Sequence, residues 1–288
     1  MSESSHGSWI DLHREAMRSA RPAGPDFLEP LRAAAHARFR ERGFPTLRQE
    51  RWRFTDVSAV AETAWRRAAE GEGETALPLE DLHADPAAYR LVFVNGRFSA
   101  SRSRLPGAET SFSVQRLSAL NDGVLEPAAR RMAETAGRTE EPFALINSAL
   151  AEEGVVITIP DHMAVLVPLE ILHYVDGDGI ALHPRVVMIV GEQSEALLIE
   201  SYAGKNSQRY FTNPAADVVV GRGSKLDHYL LQRESASAYH LSYTRATLGR
   251  EARYRRFALD MGGRLVRHDL EVELDGEGAE ASLSGLYM

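Results

Sequence analysis

Residues 190–201, VGEQSEALLIES, have three counterparts further along the chain. They are VGRGSKLDHYLL at residues 220–231, LGREARYRRFAL at residues 248–259 and DGEGAEASLSGL at residues 275–286. The aligned glycines are separated by 30, 28 and 27 residues, and they are Gly191, Gly221, Gly249 and Gly276. Each glycine precedes a short polar stretch and then a strand-like run, so the period predicts the stacked coils of a solenoid. Regularly spaced turns in another all-β fold would produce the same pattern, and this alternative stays open.

Strand-like runs fill the chain from residue 155 onward, and several of them alternate in polarity. In VRHDLEVEL, one predicted face carries Val266, His268, Leu270, Val272 and Leu274, and the other carries Arg267, Asp269, Glu271 and Glu273. This alternation predicts a β core that buries one face of each strand. A half-exposed antiparallel sheet alternates in the same way, so only the glycine spacing favours coils.

The first half of the chain is helical in character. In PDFLEPLRAAAHARFRERG, Leu31, Ala35 and Phe39 recur at helical spacing, and Gly43 stands where a helix ends. Further helices are predicted at residues 9–19, at residues 125–136 and in EPFALINSALAEEG, the last of these ending at Gly154. Asn95-Gly96 follows a β-branched run and predicts a hairpin near residues 91–99.

The domain boundary falls near residue 153. We therefore predict a helical N-terminal domain over residues 1–153 and a β domain over residues 154–288. A length of 288 residues agrees with about two domains.

Composition excludes several classes of function. The chain has no cysteine, so it forms no disulfide and supplies no thiolate nucleophile or thiolate ligand. A net charge of −8 with only short, scattered basic clusters argues against nucleic acid as a partner. Signal-peptide and membrane-spanning runs are absent from the sequence, so we expect a soluble, cytoplasmic protein without membrane contacts.

The sequence contains no recognisable set of catalytic residues. G-x-S-x-G, G-x-G-x-x-G and H-E-x-x-H are absent, and GRGSK at residues 221–225 lacks the spacing of a phosphate loop. Glu271 and Glu273 are i, i+2 neighbours that could act as acid and base in a β-helical carbohydrate-active enzyme, although a solvated face is the simpler interpretation. We therefore predict no catalytic, cofactor-binding or metal-binding residue in this chain, and no enzymatic activity.

Other residues of interest have structural interpretations. His268 lies on the apolar face of its strand and is expected to be a hydrogen-bonded core histidine. Asp227 and His228 should point to opposite faces of a strand, so they cannot form a dyad. The Asp161-His162 pair is expected in a solvated turn. Trp52 and Phe54 could form a ligand platform, but packing of the helical region onto the β domain is the expected role for both.

Five segments, taken in order along the chain, resemble SufD-type proteins of the SufB/SufD family. They are ERWRFTDV at residues 50–57, LVFVNGRFS at residues 91–99, FALINSALAEEGVVITIP at residues 143–160, YFTNPAADVVVGRGSKLDHYLLQRES at residues 210–235 and GGRLVRHDLEVELDGEGAEASLSGLY at residues 262–287. The resemblance implies an α+β, mostly β chain with a helical N-terminal domain followed by a right-handed parallel β-helix.

The resemblance also implies a function. Such proteins are non-catalytic scaffold subunits of the SUF machinery for iron–sulfur cluster assembly. They pair with a SufB-like subunit and with a SufC-like ATPase, so the complex would handle the cluster and the partner would bind ATP. This chain itself would bind no cofactor. Its lack of cysteine suits a SufD-like member better than a SufB-like one.

Family members usually continue for well over a hundred residues beyond GLY at residues 285–287. The resemblance therefore implies a chain truncated at its C-terminus, lacking most of the partner-contacting regions. An open coil would then leave an edge available for self-association. Two alternatives to a scaffold subunit stay open: a β-helical carbohydrate-active enzyme and a plain self-associating solenoid.

Overall fold

The computed structural model describes residues 27–69, 71–73, 87–107, 110–120 and 122–288. The N-terminal part contains four α-helices: α1 (Leu28–Arg42), α2 (Ser58–Glu62), α3 (Asp122–Arg138) and α4 (Pro142–Leu150). Short 3-10 turns occupy Glu50–Trp52, Ala100–Arg102 and Leu117–Ala119. Three strands lie between the helices: β1 (Tyr89–Val94), β2 (Arg97–Phe98) and β3 (Ser113–Arg116).

Residues 154–288 wind through five coils. The first contains β4 (Gly154–Ile159) and β5 (Leu169–Val175), and the second β6 (Ala181–Leu182), β7 (Arg185–Val190) and β8 (Glu195–Gly204). The third contains β9 (Phe211–Thr212), β10 (Ala215–Val220) and β11 (Lys225–Arg233). The fourth contains β12 (Tyr239–Leu248) and β13 (Arg253–Asp260), and the fifth β14 (Leu265–Leu274) and β15 (Glu280–Tyr287).

The strands pair between coils rather than within them. One sheet has the order β15-β13-β11-β8-β5-β1-β2, and the other runs β3-β4-β7-β10-β12-β14, with β9 also paired to β12 and β6 paired to β9. Strands of successive coils are parallel, as where Val218 of β10 lies between Met188 of β7 and Ala246 of β12. The predicted parallel β-helix is therefore confirmed, and the antiparallel-sheet alternative is wrong.

The repeated glycines form one corner of the β-helix. Each follows a strand of the second sheet, and the Gly221 amide donates to the carbonyl of Val190 in the coil before it at 2.8 Å. A Cβ atom at Gly221 would lie 2.8 Å from the carbonyl carbon of Gly191, and one at Gly276 would lie 2.7 Å from that of Gly249. Stacked backbones this close leave no room for a side chain, which explains the period seen in the sequence.

The corner has a second shared feature, two residues after each glycine. The backbone there is left-handed, with φ of 53°, 67°, 57° and 73° at Gln193, Gly223, Glu251 and Gly278. His162, with φ of 59°, provides the same conformation in the first coil. The Asp161-His162 turn is thus an unrecognised first member of the repeat.

The helical region covers the outer face of the second sheet. Asn147 of α4 donates to the carbonyl oxygens of Pro184 at 2.8 Å and Asn213 at 2.7 Å. Beneath the helices, buried Asp217 of β10 accepts hydrogen bonds from Thr135 of α3 and from Arg185 of β7. These contacts dock the helices onto successive coils.

Most N-terminal predictions agree with the structure. The hairpin turn is confirmed by positive φ at Asn95 and Gly96, and Gly43 follows α1 with φ of 69°. The prediction that Gly154 ends a helix is wrong, because α4 ends at Leu150 and Gly154 is the first residue of β4. A Cβ atom at this position would collide with the carbonyl oxygen of Arg185, so the position requires glycine. The helix predicted at residues 9–19 lies outside the described residues. No helix among the described residues is long and apolar enough to cross a membrane.

We expect Gly221→Ala to lower the free energy of unfolding by about 1–3 kcal/mol, because the added methyl must displace the neighbouring coil. Gly137→Ala is the matched control, since a Cβ at Gly137 in α3 would contact nothing within 4 Å. That substitution should be neutral or stabilise by up to about 1 kcal/mol. Urea denaturation of both variants measures the difference, and equal effects would contradict the corner packing.

Candidate functional site in the β-helix interior

The space between the two sheets divides into an apolar half and a polar half. Beside the glycine corner, the inward side chains are apolar, among them Met188, Leu198 and Leu226. Away from the corner, successive strands of the first sheet place His173, Tyr202, Gln232 and Asp260 in register. In-register stacking therefore collects polar side chains from four coils into one interior column.

Carboxylate–imidazole pairs link the coils of this column. The His228 ring donates from Nε2 to Glu200 at 2.8 Å, and the His240 ring donates from Nδ1 to Glu234 at 2.7 Å. A third pair joins Nε2 of His268 to Asp260 at 2.9 Å. Each carboxylate is thus matched by an imidazole donor, which offsets part of the cost of burying its charge.

Hydroxyl groups form additional hydrogen bonds with the members of these pairs. Tyr202 donates to Glu200 at 2.5 Å, and Thr212 donates to Glu234 at 2.6 Å. The hydroxyl of Ser242 lies 2.6 Å from Nδ1 of His268, and that of Tyr254 lies 2.8 Å from Nδ1 of His228. The rings of His228 and His268 are consequently held at both nitrogens, whereas Nε2 of His240 has no partner among the described residues.

The buried environment shifts several pKa values. Burial alone would raise the pKa of Glu200, but the interactions with His228 and Tyr202 outweigh it and lower that pKa to about 2. Burial lowers the pKa of His268 by more than the hydrogen bond to Asp260 raises it. Burial also lowers the pKa of His173 to about 4, against the opposing effect of the Glu200 and Glu234 carboxylates.

Aromatic and imidazole rings are in contact along the column. His173 is stacked between Phe93 and Tyr202, with ring centroids 4.9 Å and 5.2 Å away and interplanar angles of 21° and 10°. His240 then meets Tyr202 edge to face at 4.9 Å, and His268 meets His240 edge to face at 5.3 Å. These ring contacts extend from the hairpin to the fifth coil.

The chemistry available to this column is limited by its enclosure. Its carboxylates and most of its imidazoles already have hydrogen-bond partners inside the fold. Among the described residues, no three or more histidine, aspartate or glutamate side chains are grouped so as to hold a metal ion. The carboxylate–imidazole pairs hold separate coils together around buried charge.

The predicted positions of the individual histidines are confirmed. His268 is hydrogen-bonded in the interior, and His228 is buried while Asp227 points outward to Arg255. His162 is exposed in its turn. Glu271 and Glu273 lie on the exposed side of β14, where Glu271 accepts from Tyr243 at 2.7 Å and Glu273 from Arg245 at 3.1 Å.

Local sequence patterns do not reveal most of the column. Glu200 and Tyr202 follow Ala196 and Leu198 at a spacing of two, so alternation alone predicts that all four point inward. His173 carried no comparable signal, because it lies in a run that is buried on both faces.

Trp52 and Phe54 have different environments. Trp52 is 3% exposed, with its ring centroid 5.4 Å from that of Phe143, and the guanidinium of Arg267 lies 3.9 Å from the centre of its ring. Packing onto the β domain is therefore confirmed for Trp52. It is wrong for Phe54, which is 91% exposed and whose ring centroid lies 5.3 Å from the guanidinium carbon of Arg53 at the surface.

The fold places the chain among parallel β-helix proteins that carry a helical N-terminal region. Two family models match almost all of it: the SufBD protein N-terminal region over residues 3–171, and the SUF system FeS cluster assembly, SufBD core domain over residues 173–288. The chain belongs to the SufBD family. Membership supports a role in SUF iron–sulfur cluster assembly.

Individual relatives agree with this assignment. The iron-sulfur cluster assembly SufBD family protein slr0076 of Synechocystis sp. is 25% identical over 84% of this chain and 55% of that protein. The iron-sulfur cluster assembly protein SufD of Escherichia coli is 24% identical over 85% of this chain and 56% of that protein. Protein ABCI7, chloroplastic, of Arabidopsis thaliana is 28% identical over 58% of this chain and 37% of that protein. The chain thus spans about half the length of the curated relatives it matches, or less.

Trp52→Ala should lower the free energy of unfolding by about 3–5 kcal/mol, because it removes a buried indole from the contact between the helical region and the β-helix. Phe54→Ala is the matched control and should change it by no more than about 0.5 kcal/mol. Chemical denaturation followed by circular dichroism compares the two. A large loss in the Phe54 variant would contradict its exposure.

His173→Phe should reduce the acid sensitivity of the fold. The unfolded chain takes up a proton at His173 near pH 6.5, whereas the folded chain does so only near pH 4, so stability falls as the pH is lowered through this window. The phenyl ring keeps the stack but cannot bind a proton. Between pH 7 and pH 4 the variant should lose about 3 kcal/mol less than the parent.

Urea titrations at each pH measure this difference. His162→Asn, which removes a surface histidine from a left-handed turn, is the control and should follow the parent. Parallel pH profiles for the parent and the His173 variant would refute the assignment of a buried, neutral imidazole.

Proposed function

We propose that this chain is a non-catalytic scaffold subunit of a SUF complex that assembles iron–sulfur clusters. In this proposal it pairs with a SufB-like subunit and a SufC-like ATPase in the cytoplasm. The observation that carries the proposal is the pair of family matches, which extend from residue 3 to residue 288. Its observed fold, a helical layer on a parallel β-helix, supports the same assignment.

The side-chain chemistry agrees with a scaffold. The chain has no cysteine, so thiolate ligands for a cluster would come from a partner. Its interior carboxylates are enclosed and paired, which leaves them unable to exchange protons with a substrate in solution. We propose that the complex handles the cluster, that ATP binds to the partner ATPase, and that this chain binds neither.

The carbohydrate-enzyme alternative is not supported. Glu271 and Glu273 point the same way from β14, but each is engaged by a neighbouring side chain of β12. Neither family match names a carbohydrate.

Self-association through an edge of the β-helix is also part of the proposal and stays a prediction. An exposed strand edge of one copy can pair with a strand of a second copy.

Co-purification tests the proposal. The tagged protein, expressed as its gene encodes it, should retain SufB-like and SufC-like proteins of the same organism when all three are co-expressed. ATP hydrolysis should follow the SufC-like protein and be absent from this chain alone. Repeating the capture without the SufB-like protein shows whether the pairing depends on it. Failure to retain either partner, or ATP hydrolysis by the isolated chain, would contradict the proposal.

A further inference from the structure

A small cavity opens at the end of the polar column nearest the first coil. It lies between the hairpin turn at Asn95 and Gly96, the end of α4 at Leu150, and His183 in the second coil. Its volume of about 40 Å³ corresponds to roughly three water-sized spheres. A molecule of a few non-hydrogen atoms can therefore reach the first imidazole of the column.

His173 is exposed to this cavity with its hydrogen-bonding capacity unused. The side chain lines the cavity and is 4% exposed, yet neither ring nitrogen has a hydrogen-bond partner within the part of the chain that the structure describes. Stacking between Phe93 and Tyr202 fixes the plane of the ring. A buried polar group without a partner is costly, so this position favours a bound hydrogen-bonding group.

Arg97 contributes a positive charge to the same cavity. Its Nη2 donates to the carbonyl oxygen of Ala68 at 3.4 Å, while its Nε is buried without a partner in the described residues. No described carboxylate forms an ion pair with it. An arginine with a free Nε–H is a preferred donor to the oxygens of carboxylates and phosphates.

The remaining charges around the cavity are already matched. Glu152 pairs with Arg67 at 2.7 Å. Glu153 accepts from the Ser118 hydroxyl at 2.8 Å and lies 3.6 Å from Arg116. Among the described charged groups that line the cavity, the guanidinium of Arg97 is therefore the one without a counter-ion.

We propose that this cavity binds a small oxyanion, with Arg97 supplying the charge and His173 donating an N–H. The ligand class is a free inorganic oxyanion or a small carboxylate, because both present oxygen acceptors that a guanidinium and an imidazole can share. His183 is held through a contact of 3.1 Å between its Nδ1 and Asn213, which keeps the far wall of the cavity in place. This inference does not depend on the proposed assembly role.

Isothermal titration with inorganic phosphate and with acetate, at constant ionic strength in chloride, tests the proposal on the full chain. Binding of phosphate, of acetate or of both is the expected result, and their relative affinities separate a tetrahedral from a planar ligand. Arg97→Gln should weaken binding about tenfold or more. Arg264→Gln, at an exposed position away from the cavity, should leave it unchanged.

Imidazole nitrogen NMR of the parent protein provides a second readout that requires no variant at Arg97. The signals of His173, identified by their loss in His173→Phe, should shift on addition of the bound anion. Absence of binding by both anions, or equal affinity in Arg97→Gln and the parent, would overturn the proposal. Anion binding that leaves the His173 signals unmoved would also overturn it.

Discussion

In-register parallel hydrogen bonding between coils is the constraint on which this structure depends. Neighbouring strands lie about 4.8 Å apart, so each coil must repeat the path of the one before it. Wherever the path turns sharply, backbone meets backbone, and Gly191, Gly221, Gly249 and Gly276 occupy that position. Register then brings equivalent residues of successive coils into rows, and each row is apolar or polar according to the side chains at that position.

The polar rows explain why the interior can contain so many ionisable groups. A single buried carboxylate would be strongly unfavourable, but Glu200, Glu234 and Asp260 each meet an imidazole from a different strand. The pairs connect separate coils, so they add specificity of register to the non-directional apolar contacts beside the glycine corner. His173 is the exception, because its ring is stacked but its nitrogens have no hydrogen-bond partner among the described residues.

The sequence predicts the architecture better than it predicts the site. The periodic glycines reveal the coils because the close approach of backbones at each corner restricts a single position, and that restriction is visible in the sequence. The first corner escapes notice, since Pro160 stands at the position that is glycine in the later coils. Partners such as His228 and Glu200 are separated by 28 residues and meet only through register, which a local pattern does not contain. Phe54 shows the same limit, because an aromatic residue two positions from buried Trp52 carries no local signal that its own side chain is exposed.

The contact between Arg267 and the segment around Trp52 joins the fifth coil to the helical region. Arg267 donates to the carbonyl oxygen of Arg51 at 2.9 Å and to Thr55 at 3.1 Å, across 216 and 212 residues of sequence. Simple solenoids can fray from a terminus, since each repeat touches only its neighbours. Here the segment around Trp52 also contacts the fifth coil, which is distant in sequence. During synthesis on the ribosome, this segment must wait for the fifth coil to emerge before its packing is complete, and we expect the two parts to unfold together.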